Sequence, residues 1–194
     1  MSEGDEPRAA VPLLNIANVL TVSRLVMVPF FLLALFTGGG QDLLWRLVAF
    51  GVFVIASITD RIDGDLARKH GLVTDFGKIA DPIADKALTG SALVGLSVLG
   101  ELPWWVTIVI AVREVGVTVL RFWVIRRGVI PASRGGKAKT LMQIVAIGFY
   151  LLPLPPWLLF IRWVTMGVAL LLTVVTGADY VVRAFRLRAV AETP

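Results

Sequence analysis

Six apolar segments, approximately residues 19–36, 43–58, 84–99, 104–125, 141–152 and 157–182, restrict this chain to few folds. So many long apolar runs, separated by short polar turns, leave more hydrophobic surface than a soluble domain of this size can bury. The 57% hydrophobic content and the mean hydropathy of +0.81 agree. The expected fold is all-α, a polytopic membrane protein with six transmembrane helices. One membrane domain spans residues 13–188, with a disordered N-terminal tail over 1–12 and a C-terminal tail over 189–194. Several segments are shorter than the roughly 20 residues of a full crossing, so polar turns should extend those helices into water or into a protein cavity. Asn15-Ile16-Ala17-Asn18 is read as a short interfacial helix ahead of the first span.

Charge alternates between the connections. Thr37-Gly38-Gly39-Gly40-Gln41-Asp42, Gly100-Glu101-Leu102-Pro103 and Pro153-Leu154-Pro155-Pro156 carry no basic residue. Arg61, Arg68, Lys69, Lys78 and Lys86 crowd one of the other connections, Arg126, Arg127, Arg134, Lys137 and Lys139 the next, and Arg183, Arg186 and Arg188 follow the last span. The positive-inside rule puts the basic connections and both termini on the cytoplasmic side of the cell membrane. The segment 141–152 is short for a span, but without it the two basic regions flanking it would fall on opposite sides. A formal charge of +5 fits anionic lipid headgroups and a bilayer better than nucleic acid, which is not an expected partner. The absence of cysteine excludes disulfides and thiol chemistry. The acidic residues Glu3, Asp5 and Glu6 are wrong for a cleaved signal peptide. Six tryptophans, several at span ends such as Trp104, Trp105 and Trp157, fit an interfacial belt.

Against this apolar background stands a knot of carboxylates, Asp60-Arg61-Ile62-Asp63-Gly64-Asp65-Leu66-Ala67-Arg68 and, eight residues later, Gly77-Lys78-Ile79-Ala80-Asp81-Pro82-Ile83-Ala84-Asp85. On helices, Asp60 and Asp63 are three apart and Asp81 and Asp85 four apart, so each pair lies along one face. Two such helices joined across His70-Gly71-Leu72 can bring four carboxylates to one point. Their repulsion requires a cation, and hard divalent ions such as Mg2+ prefer carboxylate oxygens. Gly64, Ala67 and Gly77 lack bulk, which lets a ligand approach the helix backbone. Asp65 and Asp75 fall out of this register and are read as solvated. His70, the single histidine, belongs to a turn and is read as exposed.

Written as D-x2-D-G-x2-A-R-x8-G-x3-D-x3-D, the stretch resembles the motif of the CDP-alcohol phosphotransferase family without departure. The resemblance implies six transmembrane helices around a cytoplasm-facing polar cavity, two divalent ions (Mg2+, with Mn2+ an alternative), a CDP-linked lipid and a homodimer. It implies Asp60, Asp63, Asp81 and Asp85 as metal ligands, with Asp85 also the general base. Gly64, Ala67, Arg68, Thr74 and Gly77 would contact the CDP-lipid, joined by Thr21 and Arg24 from the start of the first span. Asp81-Pro82-Ile83-Ala84-Asp85-Lys86, Ala111-Val112-Arg113-Glu114 and Gly136-Lys137-Ala138-Lys139-Thr140 look like one branch of that family. That branch joins CDP-diacylglycerol to sn-glycerol 3-phosphate.

Arg113-Glu114 and Arg121 interrupt the fourth apolar segment. Charges at such depth are costly and face a cavity or a partner. In that branch Arg113, Arg121, Lys137 and Lys139 would bind the acceptor phosphate, as forked contacts from arginine and point charges from lysine. The competing readings are an internal ion pair for Arg113 and Glu114, and headgroup anchoring for Lys137 and Lys139. At the level of function, the rivals are the same chemistry with an inositol phosphate acceptor, a membrane prenyltransferase and a cation transporter. A prenyltransferase has no evident use for Gly64-x2-Ala67-Arg68, and a transporter none for CDP.

Overall fold

The computed structural model describes the backbone of residues 16–70, 75–124 and 134–191, within which side chains at 16–18, 20, 60–70, 75–82, 85, 121–124, 134 and 185–191 are outside the description. The described residues form six α-helices and no strand: α1 (Ile16–Phe36), α2 (Leu43–His70), α3 (Asp75–Val98), α4 (Trp104–Val124), α5 (Arg134–Leu151) and α6 (Leu159–Ala191). Each expected apolar segment falls almost wholly on a helix of its own. The expected N-terminal tail at 1–12 lies outside the described residues, as do 192–194 of the expected C-terminal tail at 189–194, whose residues 189–191 instead continue α6. Ile16-Ala17-Asn18 forms the first turn of α1 itself, so within the described residues there is no separate interfacial helix. Arg134, Lys137 and Lys139, assigned above to a connection, belong to α5.

The helices run up and down. α1 packs against α2 and α3, α5 against α6, and α4 against α6. The turns at one end are tight. At Gly100 the backbone has φ +74, a left-handed conformation that closes α3, with Glu101 N–H donating to Leu96 O at 3.0 Å. Where α3 crosses α1, a methyl added at Gly95 would lie 2.6 Å from Leu35 Cδ2, so a larger residue there would have to displace the Leu35 side chain.

Burial is inverted relative to a soluble bundle. Along α1, Val22, Val26, Phe30 and Leu33 are exposed at helical spacing, as are Ile108, Val112, Val115 and Val119 on α4 and Phe160, Val164, Val168, Leu171 and Val175 on α6. The interior instead holds Ala34, Ala49, Ala56, Ala92, Ala146 and Ala169 among larger side chains such as Phe31, Phe53 and Leu96, with buried Thr21, Arg24, Arg46, Ser57, Ser97, Thr107, Lys139, Gln143 and Thr173. Apolar faces of this extent need a cover. Two stretches, Thr21–Gly40 and Pro156–Ala184, are long and apolar enough to cross a membrane. Several of the buried polar groups find partners across helices, as in Ser97 Oγ to Thr107 Oγ1 at 2.7 Å and Gln143 Nε2 to Thr173 Oγ1 at 2.9 Å.

A second device closes the end at which α2, α4 and α6 begin. Arg46 forks onto Glu101, at 2.7 Å to Oε1 and 2.8 Å to Oε2, and also donates to Tyr150 O at 2.7 Å. Arg162 lies 3.7 Å from Glu101 Oε2 and 5.3 Å from the centre of the Tyr150 ring. This end therefore does carry basic residues, although its connections do not, and Glu101 offsets them. The exposed Trp45, Trp104, Trp105, Trp157 and Trp163 ring the same end.

Loss of one partner from a buried forked pair costs about 3–5 kcal/mol. Glu101→Ala should therefore lower the melting temperature of the detergent-purified protein strongly. Arg46→Met should cost more than Arg162→Met, because only Arg46 makes the two short contacts. Equal melting temperatures for these two variants would contradict the geometry.

Candidate active site

Helix α2 does not stop where its apolar stretch ends. It continues through Asp60, Asp63, Gly64, Ala67 and Arg68 to His70, and α3 then carries Gly77, Asp81 and Asp85 in its first half. Nothing in 60–70 breaks the helix, and 75–85 holds a proline only at Asp81-Pro82. The spacings of three and four therefore put Asp60 with Asp63, and Asp81 with Asp85, on one face of each helix. Helices α2 and α3 touch and are separated in the chain by residues 71–74 alone. Four carboxylate positions thus share one end of the bundle, a donor set of hard oxygens that suits Mg2+. The side chains of Asp60, Asp63, Ala67, Arg68, Asp81 and Asp85 lie outside the described residues, as does Thr74 entirely.

Next to these positions the description is complete, and its centre is Glu114 on α4. Lys86, the residue after Asp85 on α3, donates to Glu114 Oε2 at 2.8 Å. Lys139 of α5 donates to Oε1, and Arg113 Nη1 also reaches Oε1 at 3.2 Å. Arg113 turns its other terminal nitrogen to Thr176 Oγ1 on α6, at 3.0 Å. The fit of α6 there is close, since a methyl on Gly177 would stand 3.0 Å from Arg113 Cγ. One carboxylate thereby draws cations from three helices and, through Arg113, engages a fourth.

The candidate basic residues separate in this setting. Lys139 is buried with its side chain 5% exposed, whereas Lys137, two residues earlier, is exposed. Arg113 is half-buried, and its ion pair with Glu114 is present. Arg121 lies two turns further along α4, with its side chain outside the described residues. Thr21 and Arg24 are both buried in the first turns of α1, at the same end as the aspartate positions. Sequence reasoning missed the gathering role of Glu114 and the part of Lys86 and Thr176. Residues 86, 114, 139 and 176 are too far apart in the chain for any periodicity to pair them.

The profile of the CDP-alcohol phosphatidyltransferase family matches residues 14–175. The chain belongs to this family. It is similar to a probable phosphatidylglycerophosphate synthase of Mycobacterium tuberculosis (strain H37Rv), at 63% identity over 172 residues, which are 89% of this chain and 82% of that protein. It is also similar to the CDP-diacylglycerol–glycerol-3-phosphate 3-phosphatidyltransferases of Bacillus subtilis (38% over 179 residues) and Rickettsia felis (35% over 171 residues). Each of those matches covers 86% of this chain and 93% of the relative. Within this CDP-alcohol phosphatidyltransferase, the family match runs from α1 into α6 and so takes in both the aspartate positions and the Glu114 group.

The two lysines should differ in what they support. Lys139→Met removes a charged hydrogen bond inside the bundle and should cost about 2 kcal/mol. Lys137→Met alters an exposed position and should stay within about 0.5 kcal/mol. Denaturant or thermal unfolding in detergent compares them directly, and equal losses would contradict the burial assigned to Lys139.

Proposed function

We propose that this chain transfers the phosphatidyl group of CDP-diacylglycerol to sn-glycerol 3-phosphate, forming phosphatidylglycerophosphate and releasing CMP. The observation that carries the reading is the placement of the family motif on α2 and α3 beside the Arg113, Lys139 and Lys86 cluster. The names of the relatives agree with it. A site for this reaction needs anionic ligands for metal at the pyrophosphate and positive charge for the acceptor phosphate. These two sets meet across Asp85-Lys86.

In this reading Asp60, Asp63, Asp81 and Asp85 hold two divalent ions, Mg2+ or Mn2+. Bound there, the ions would neutralise charge on the pyrophosphate and on the leaving CMP. The remaining work falls to side chains. Gly64, Ala67 and Gly77 leave room for the nucleotide against the helix backbones, and Arg68, Thr74, Thr21 and Arg24 contact the CDP portion. Arg113 and Lys139 hold the acceptor phosphate, with Lys137 and Arg121 contributing from further out. Asp85 accepts the proton of the acceptor hydroxyl as its oxygen attacks the phosphorus that bears the diacylglycerol. The bond from that phosphorus to the bridging oxygen breaks, and CMP leaves with the electron pair.

We further propose that all six helices cross the cell membrane, enclosing a polar cavity open to the cytoplasm, and that the chain works as a homodimer. The outward apolar faces of α1, α4 and α6 and the concentration of basic residues at the aspartate end support this orientation. A lipid-linked donor and a water-soluble acceptor then reach the same site from different phases.

Purified protein supplied with CDP-diacylglycerol, Mg2+ and one acceptor at a time tests the reading. CMP should appear with sn-glycerol 3-phosphate. Release with an inositol phosphate and none with glycerol 3-phosphate would assign the chain the other acceptor. Asp85→Asn should lower turnover at least a hundredfold while CDP-diacylglycerol still binds; full turnover in that variant would remove Asp85 from the role of base.

A further inference from the structure

Three cations converge on Glu114, and a structural ion pair needs only one of them. Lys86, Arg113 and Lys139 come from α3, α4 and α5 to a carboxylate that is itself largely buried. Within an apolar bundle, positive charge in excess of its counterion is costly to keep. The group leaves two positive charges uncompensated by Glu114, the charge that a phosphomonoester dianion brings. It is also open on one side, where the Lys86 side chain is 37% exposed.

From this we infer that Glu114 is the positioning residue of the acceptor pocket. Its Oε1 takes both Lys139 and Arg113 and so fixes them beside each other, its Oε2 takes Lys86, and Thr176 holds the second branch of Arg113, so the cations face an incoming phosphate already oriented. Preorganisation of this kind lowers the cost of ordering long side chains when the ligand binds. The same excess of charge makes the pocket selective, because a neutral polyol entering it would leave two buried positive charges unmatched, whereas a phosphomonoester would not. Glu114 touches neither the reacting phosphorus nor the hydroxyl in this scheme. Its effect is exerted through Arg113 and Lys139.

The inference rests on the acceptor being a phosphomonoester, and the experiment keeps the two claims apart. CMP release by the full chain in detergent is measured against sn-glycerol 3-phosphate at saturating CDP-diacylglycerol, and then the reverse. In Glu114→Gln the KM for the acceptor should rise at least tenfold, while the KM for CDP-diacylglycerol stays within twofold. Inhibition by inorganic phosphate competing with the acceptor should weaken by the same factor as the acceptor KM. Glu114→Asp keeps the charge but has a shorter reach, and should give an intermediate acceptor KM. An unchanged or lowered acceptor KM in Glu114→Gln, or an equal rise for both substrates, would overturn the inference. Should Glu114→Gln fail to fold, Glu114→Asp decides: an acceptor KM raised threefold or more supports the positioning role, and an unchanged one refutes it. A wild-type chain that turns over only an inositol phosphate would instead refute the acceptor assignment, and the Glu114 comparison is then made with that phosphomonoester.

Discussion

Charge inside an apolar bundle has to be matched, and among the described residues two carboxylates, Glu101 and Glu114, gather inward-facing cations. Glu101 takes Arg46 and Arg162, and Glu114 takes Lys86, Arg113 and Lys139. Every helix from α2 to α6 contributes a residue to one of these groups or to its hydrogen-bond partners. Helix α1 packs Phe31, Ala34 and Leu35 against α2 and α3. Hydrophobic burial alone does not select which helix faces which when the surroundings are themselves apolar. Paired charges do, because each wrong arrangement leaves one of them alone.

The two groups serve opposite ends of the bundle and differ in kind. At Glu101 the arginine fork fills both carboxylate oxygens, and its remaining reach goes to a backbone carbonyl, so the group is closed on itself. At Glu114 the contacts come mainly from ammonium groups, which act as point charges and reorient at little cost. A forked pair suits a fixed clamp beneath the turns. Point charges around one carboxylate suit a place where an anion comes and goes.

Much of the architecture was legible in the sequence because it depends on local pattern. The six apolar segments each mark one of the six helices, and the pattern from Asp60 to Asp85 gives the spacing that its helices impose. Apolarity alone does not mark the ends, because there polar residues continue the helices of their neighbours: α2 runs on to His70, as the aspartate spacing required, whereas α5 begins at Arg134, seven residues before its apolar run and within what read as a connection. Propensity favours this, since Asp60–His70 contains only one glycine and no proline, but hydropathy hides it. Arg46 and Arg162 read as ordinary residues near helix starts. Their pairing with Glu101 depends on three-dimensional proximity across 55 and 61 positions, which no periodicity encodes. The same holds for Lys139, whose sequence neighbours give no sign that it is buried while Lys137 is not.

The inversion of burial connects these observations. A soluble bundle would place Val112, Val115 and Val119 inward and send Arg113 and Glu114 to water, yet here the valines point out and the charged pair points in. With the apolar faces committed outward, the interior is left to small residues and to polar groups, and small residues leave space. The Glu114 group adjoins the motif in the chain, because Lys86, which reaches Glu114, directly follows Asp81-x3-Asp85 on α3. A site that joins a lipid-borne pyrophosphate to a soluble phosphate needs metal-binding carboxylates and free positive charge within a few ångströms of each other without mutual neutralisation. In the proposed reading Glu114 meets that need: it engages Lys86, Arg113 and Lys139, which would leave the aspartates to metal and the cations to the acceptor.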